Sequence, residues 1–467
     1  MRLNISLNLN EIARAVNGQI LNNNNDIEIE NISTDARENL DGCLFVALKG
    51  EVYDGHDFTA QAVENGAVAV IINCGRAMMV NDGRAMRAPT IAVENTSQAF
   101  LDLARFYKSK FELDLTVGIT GSAGKTTVKE FMHAVLAQAY KARKNIANFN
   151  NEVGLPKTIF SLQADERVLV LEMGMNSFGE ISRLSRTAEP DICVINNIGT
   201  AHIENLGTRE GIKKAKFEIL EGMSENASII LNADDALLYA EKNKTGKREY
   251  YFGIDNKNAD FIAEDISYDY EKNESYFKIS GTSFKIPAVG VHNILNAMPA
   301  YMTGKLCGIS DELIQAGFNN FENAKMRQNI YEYNGIIIID DCYNSNKEAV
   351  LAAFDVLCGI AEKTGGYKIA VLADILECGD HAEEIHREIV DAALEKKIFL
   401  YLYGENMRSA LENLFNKNRS LYPCYWYEKD KIANMLYEAI DKGDVILFKA
   451  SRGMAMETVL EDFKNMF

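Results

Sequence analysis

No stretch of this 467-residue chain is both long and apolar enough to span a bilayer, so membrane insertion is not expected. Met1 to Glu11 also lacks the apolar centre of a signal peptide, and the chain is expected in the cytoplasm. Its eight cysteines include no Cys-x-x-Cys pair, which leaves neither a zinc ribbon nor a disulfide framework. His381 and His386 miss the His-Glu-x-x-His spacing of a zinc protease. Low-complexity tracts are absent, and the short run Asn22 to Asn25 reads as a loop. Basic residues are in deficit, 49 Lys and Arg against 67 Asp and Glu, for a net charge of −18. That balance argues against nucleic acid as a partner. It also means that any polyanionic ligand must be met by cations placed locally.

What is present is the length and composition of an ordinary globular α/β protein, enough for about three domains. The first unit, 1–112, carries the apolar strand Cys43 to Leu48 and a second strand ending at Ala67 to Ile72, with polar loops Ser33 to Arg37 and Asp54 to Phe58. The second, 113–322, alternates helical segments with apolar runs at Val168 to Gly174, Asp191 to Asn197 and Ser228 to Asn232, the pattern of a parallel sheet covered on both faces. Residues 250–290 change to alternating Tyr, Phe and Ile, which predicts antiparallel strands along one edge. The third, 323–467, starts again at Ile336 to Asp341 and adds apolar strands at Lys368 to Leu372, Ile398 to Tyr403 and Val445 to Phe448, a second doubly wound α/β unit.

The chemistry centres on Gly118-Ile119-Thr120-Gly121-Ser122-Ala123-Gly124-Lys125-Thr126-Thr127. An apolar run, Leu113 to Val117, precedes it, and helical periodicity over Val128 to Ala139 follows. Strand, glycine turn and helix in that order make a phosphate cradle, although Ile119 stands where the strict pattern has its first glycine. Glycines let backbone N–H groups face one anion, and the helix N-terminus adds partial positive charge. Lys125 supplies a mobile cation, and the Thr126 hydroxyl is placed for Mg²⁺. The ligand read here is a nucleoside triphosphate.

Other residues sit where such a ligand would need them. Glu172 ends a strand of the same unit, and His202 follows the next strand's carboxyl end, a candidate second metal ligand. Lys216 lies in a lysine-rich segment with Lys213 and Lys214, which reads by default as a solvated basic face or as cations answering the triphosphate. Asn293 and Asn296 open a helix where side-chain amides suit an adenine edge. Pro299 is expected to kink that helix. Asp341 and Asn344 follow a strand end of the third unit. Arg327, at the junction of units two and three, is placed to reach a transferring phosphoryl group when the units close.

Taken together these motifs resemble the Mur ligases, ATP-dependent amide-bond ligases of peptidoglycan assembly, over nearly the whole chain. The matching pieces run from Ser33-Thr34-Asp35-x-Arg37 and Asp54-Gly55-His56-x-Phe58 through the phosphate turn, Asn148-x-Asn150-Asn151 and Glu172-Met173-Gly174. They continue with Ala201-His202-x-Glu204, Ala215-Lys216-x-Glu218, His292-Asn293-x-x-Asn296, Asp341-x-Tyr343-Asn344 and Lys449-x-Ser451-Arg452. The resemblance implies a three-domain α/β architecture: a small N-terminal α/β domain for a UDP-sugar peptide, a central P-loop parallel-sheet ATPase domain, and a C-terminal Rossmann-like doubly wound domain for the amino substrate.

It implies ATP and two Mg²⁺ ions as cofactors, with UDP-N-acetylmuramoyl-tripeptide and D-alanyl-D-alanine as substrates of a monomer. Gly121, Ser122, Ala123, Gly124, Lys125, Thr126 and Thr127 would cradle the phosphates, with Asn293, Asn296, Arg327, Asp341 and Asn344 also on ATP. Ser33, Thr34, Asp35, Arg37 and His56 would hold the UDP-linked substrate, and Asn148, Asn150 and Asn151 would line its path. Thr126 and Glu172 would bind one Mg²⁺; His202 and Lys216, the latter carbamylated by CO₂, would bind the second. Lys125, Lys216, His202, Glu172 and Arg327 would be catalytic.

Departures from the family pattern are Ala36 for Ser, Lys347 for Pro, and Ala373 and Ala450 for Gly. Diaminopimelate- or lysine-adding Mur ligases typically begin this third domain Asp-Tyr-Ala-His, where this chain has Asp341-Cys342-Tyr343-Asn344. Folylpolyglutamate synthase lacks the first domain. A catalytically dead nucleotide-binding scaffold is the reading outside enzymes, and intact Lys125, Glu172, His202 and Lys216 speak against it.

Overall fold

The computed structural model describes residues 1–22, 27–77, 88–146, 148–415 and 424–467. Asn22 sits in a bend, and the rest of the expected Asn22 to Asn25 loop lies outside the described residues. Among the described residues three sheets form, and the strands of each fall within one of the three sequence units. No described helix is long and apolar enough to cross a membrane. All eight cysteines carry free thiols, and only Cys74 is exposed.

The N-terminal sheet has the order Arg2–Asn8, Glu28–Ser33, Cys43–Val46, Ala69–Asn73, Thr90–Val93, Gln19–Ile20. Its four inner strands are parallel neighbours, so their carboxyl ends, and the Ser33 and Asp54 loops that follow two of them, lie along one edge.

In the central sheet Leu115–Thr120 lies between Ile192–Ile195 and Val168–Glu172, all parallel. Burial explains their composition: Leu115–Thr120 is buried at all six positions and Val168–Glu172 at all five. Each fully buried aliphatic side chain there contributes about 2 kcal/mol of transfer free energy. Register places Glu172 beside Ile119, so its carboxylate emerges next to the glycine turn.

The helix after the turn starts at Lys125, not Val128, because Gly124 adopts φ +78° and turns the chain directly into it. A Cβ on Gly124 would lie 2.2 Å from Asn296 Oδ1, so glycine is required on two counts. Val128, Phe131, Met132, Val135 and Leu136 form the buried stripe of that helix.

At the sheet's far edge Phe261–Asp269, Glu274–Ile279 and Thr282–Ile286 are antiparallel as expected, but Arg248–Gly253 pairs in parallel on both sides. Pro299 does not interrupt its helix. The helix Val291–Leu306 runs through it, and the proline is buried against its neighbours instead of facing solvent.

The C-terminal sheet has the order Asn329–Tyr333, Ile336–Asp341, Val445–Lys449, Lys368–Ala373, Phe399–Tyr403, Cys424–Trp426. The carboxyl ends of Ile336–Asp341 and Val445–Lys449 meet the central domain, which is where open α/β sheets place ligands. The substituted alanines Ala373 and Ala450 are buried at these strand ends. Lys347, at the first helical position where proline is common, pairs with Glu388 at 2.8 Å.

Candidate active site

The glycine turn faces a cavity of about 240 Å³ closed on one side by the C-terminal domain. Ser122, Ala123, Gly124, Lys125, Thr126, Thr127, Glu172, Asn293, Asn296, Arg327, Asp341 and Asn344, all expected from sequence, line it together. Gly121 lies just behind, its carbonyl accepting from Lys125 Nζ at 2.8 Å. Burial pushes the Lys125 ammonium below its ordinary pKa; Glu172 opposes that shift and the Arg327 guanidinium adds to it. A polyanion there would reverse the penalty. Ser122 Oγ, Asn196 Oδ1 and Ser345 Oγ line the same cavity, buried and without a hydrogen-bond partner among the described residues. The two hydroxyls can donate to an anion at this helix N-terminus, whereas Asn196 Oδ1 can only accept from a ligand N–H or O–H.

Glu172 is 2% exposed. Its Oε2 accepts from the Thr126 hydroxyl at 2.9 Å and its Oε1 from the Asn150 amide at 2.7 Å. Asn145, buried, fixes the backbone of Glu172 from both sides, donating to its carbonyl and accepting from its N–H. A carboxylate and a hydroxyl at that spacing form an oxygen pair suited to a hard divalent cation. Among the described residues no three His, Cys, Asp or Glu side chains gather into a metal centre.

Asn196 and Asn197, absent from the expected set, organise the turn. Asn197 Oδ1 accepts from the backbone N–H groups of Ser122 and Ala123 at 3.0 and 2.8 Å. Asn196 donates to the Ala123 carbonyl and to Asn296 Oδ1. Asn296 thus lies on the phosphate turn with its carbonyl oxygen paired to Asn196. Asn293 donates to the Val289 carbonyl and to Gln328.

The C-terminal domain is seated on this site. Asn346 caps the helix Lys347–Thr364 and reaches the Ser122 carbonyl at 3.3 Å. The Thr200 hydroxyl donates to Glu348 at 3.1 Å, and a Cβ on Gly199 would lie 2.7 Å from that carboxyl carbon. Lys449, 2% exposed at its side chain, bridges Asp341 at 2.6 Å and the Asn344 carbonyl at 3.1 Å. Arg327 stacks on the Tyr343 ring at 4.2 Å.

A second cavity opens beside the first, and Ser122, Lys125, Asn344, Ser345 and Asn346 line both. His202 lines the second, with its Nδ1 2.6 Å from Glu377 Oε2 across the domain boundary. Both residues hold φ near +60°, an uncommon conformation for side-chain-bearing residues that clusters at functional sites.

Lys216 corrects the default of a solvated basic face. Lys213 pairs with Glu241 and Lys214 lies over the Phe178 ring, but Lys216 is 1% exposed. Burial drives its pKa well below the usual lysine value, and the nearby Lys125 charge adds to that. It lines neither cavity.

The N-terminal residues stand apart from both cavities. The Arg37 guanidinium holds the Asp35 carboxyl down at about 2, and Lys157 of the central domain contributes from across the cleft. Ser33 Oγ donates to Glu38, and Thr34 lies beside it, half-buried. Asn148 is exposed, whereas Asn151 accepts from the N–H groups of Val153 and Gly154 and so caps the next helix. His56 is held within its own loop. It is buried, with Nδ1 on Asp54 and Nε2 accepting from the Asn73 N–H, so both ring nitrogens are spent holding the loop.

Comparison with known proteins matches three family models along the chain: "Mur ligase family, catalytic domain" over 28–108, "Mur ligase middle domain" over 119–304, and "Mur ligase, glutamate ligase domain" over 326–452. The UDP-N-acetylmuramoyl-tripeptide--D-alanyl-D-alanine ligase of Bacillus subtilis is 35% identical, covering 98% of each chain. A crystal structure of MurF from Acinetobacter baumannii is similar over 100% of both chains, with a TM-score of 0.87 at 28% identity. MurF ligase from Thermotoga maritima in complex with ADP is similar over 93% of this chain and 97% of that one, with a TM-score of 0.81 at 29% identity.

Proposed function

Because the chain belongs to the Mur ligase family and seats its C-terminal domain over the phosphate turn, we propose that it joins D-alanyl-D-alanine to UDP-N-acetylmuramoyl-tripeptide at the expense of ATP. The observation that carries this reading is the pair of cavities sharing Lys125. A triphosphate in the first puts its terminal phosphate at the wall of the second, where a carboxylate and an amine can meet.

An amine does not attack a carboxylate at a useful rate near neutral pH. The tripeptide's terminal carboxylate therefore attacks the γ-phosphorus, the bond to the β–γ bridging oxygen breaks, and ADP leaves an acyl phosphate. Lys125 and Arg327 answer the negative charge that spreads over the transferring group. The neutral amine of the dipeptide then attacks the acyl carbon, and phosphate departs with a carboxylate oxygen. Acyl phosphates hydrolyse, so the Asn346, Glu348 and Glu377 contacts that close the domains protect the step from water.

Thr126 and Glu172 would hold one Mg²⁺, which supplies neutralisation of the phosphate charge when bound. A second ion would be held by His202 and Lys216, and an ammonium does not fit that role. A lysine driven toward its neutral form does, because the free amine adds CO₂, loses a proton and becomes a carbamate anion. The loop Ser33 to Arg37 would hold the UDP-linked substrate, with Asn150 linking its path to Glu172. ATP and a UDP-linked precursor as substrates assign the reaction to the cytoplasm.

ADP release measured with purified substrates is expected only when both the UDP-tripeptide and D-alanyl-D-alanine are present. Equal release with glutamate and a folate, or without the dipeptide, would overturn the reading.

A further inference from the structure

One helical turn beyond Lys125, the side chain of Lys129 is 0% exposed. Lysine is almost never buried completely unless it is paired. Its Nζ lies 3.6 Å from Glu172 Oε2 and 3.4 Å from Glu130 Oε1, and the other oxygen of Glu130 is taken by Lys144. The carboxylate placed for a metal is thus already answered by an ammonium, by the Thr126 hydroxyl and by the Asn150 amide. The connected run Lys144, Glu130, Lys129, Glu172 carries two charges of each sign.

A divalent cation arriving alone would add two positive charges beside the Lys129 ammonium. Arriving with a triphosphate, it brings more negative charge than its own. At about 4 Å, in a partly buried setting, one unit charge shifts such an equilibrium by more than tenfold. We propose that Lys129 is a positioning residue that makes the Glu172 site conditional on nucleotide, so that the site takes a divalent cation with the triphosphate and not before it. The proposal rests on the reading of Thr126 and Glu172 as metal ligands. Without nucleotide, Lys129 stands in for the metal and keeps the carboxylate aligned on Thr126.

The test is Mn²⁺ binding followed by electron paramagnetic resonance, taken as the difference between the chain and its Glu172→Gln variant, with and without a non-hydrolysable ATP analogue. Glu172-dependent affinity is expected to be at least about tenfold weaker without the analogue. Lys129→Met, of similar length and uncharged, should gain at least about tenfold in nucleotide-free affinity, while Lys129→Arg stays weak. A lysine that only supported the fold would give no gain. If Lys129→Met does not fold, Lys129→Met/Glu130→Gln removes one charge of each sign and is read the same way. Equal affinity with and without the analogue, or no gain in the methionine variant, overturns the proposal. No Glu172-dependent binding even with the analogue would remove the metal reading, and the proposal with it.

Discussion

Lys125→Ala is expected to lower turnover by at least about 10³-fold, to the background of the assay, while leaving the protein folded. Its ammonium is the cation common to both cavities and is tethered by the Gly121 carbonyl at 2.8 Å, so it meets the terminal phosphate without first being ordered. Burial depresses its pKa, and a phosphoryl group gaining negative charge would favour the ammonium form. Removing it leaves Arg327, which lines the same cavity, with too little charge to compensate. The side chain is half-buried in an open pocket, so its truncation should cost about 1 kcal/mol of stability or less, checked by thermal melting. Steady-state ADP release decides the matter. Turnover within tenfold of the unaltered enzyme would show that the phosphate does not lie where the turn places it.

Lys216→Ala should lose turnover by about 10²- to 10³-fold, and a short carboxylic acid added to the assay should restore part of it. The lysine is sealed from solvent, its amine is pushed toward the neutral state by burial and by Lys125, and only the neutral amine adds CO₂. A carbamate would turn a cation that repels a metal into an anion that holds one beside His202. Acetate or propionate diffusing into the vacated space would replace the carboxylate, not the amine, and Lys216→Arg should be as inactive as alanine without being rescued. In parallel, protein equilibrated with ¹³C-bicarbonate should show a carbamate carbon that the alanine variant lacks. Indifference of turnover to the substitution, or rescue by amines in place of acids, would contradict the reading.

Much of the architecture was legible because buried parallel strands are written as continuous apolar runs, Val168 to Glu172 and Ile336 to Asp341 among them. The phosphate turn was equally plain, since a glycine turn between a strand and a helix has few other uses. What sequence could not show was contact across long separations. His202 and Glu377 meet only because two loops adopt left-handed turns in different domains, and nothing local marks Glu377 as the partner. Asn145, Asn196 and Asn197 were passed over because a strand-end asparagine looks like any turn residue until its amide is seen holding Glu172 or the turn. Lys216 read as solvent-facing because it sits with Lys213 and Lys214, of which one is half-buried and one exposed, and helix orientation decides which of the three is sealed. That both His56 nitrogens are engaged was not legible, because the Asn73 contact is made across the fold.

The claim beneath all of this is that a carboxylate is activated by phosphorylation at Lys125. The most direct measurement labels both oxygens of the tripeptide's terminal carboxylate with ¹⁸O and follows a single turnover with D-alanyl-D-alanine by mass spectrometry. One labelled oxygen in the inorganic phosphate released, and one kept in the new amide, is the expected result. Phosphate free of label, with the ¹⁸O found in water or in AMP, would contradict it.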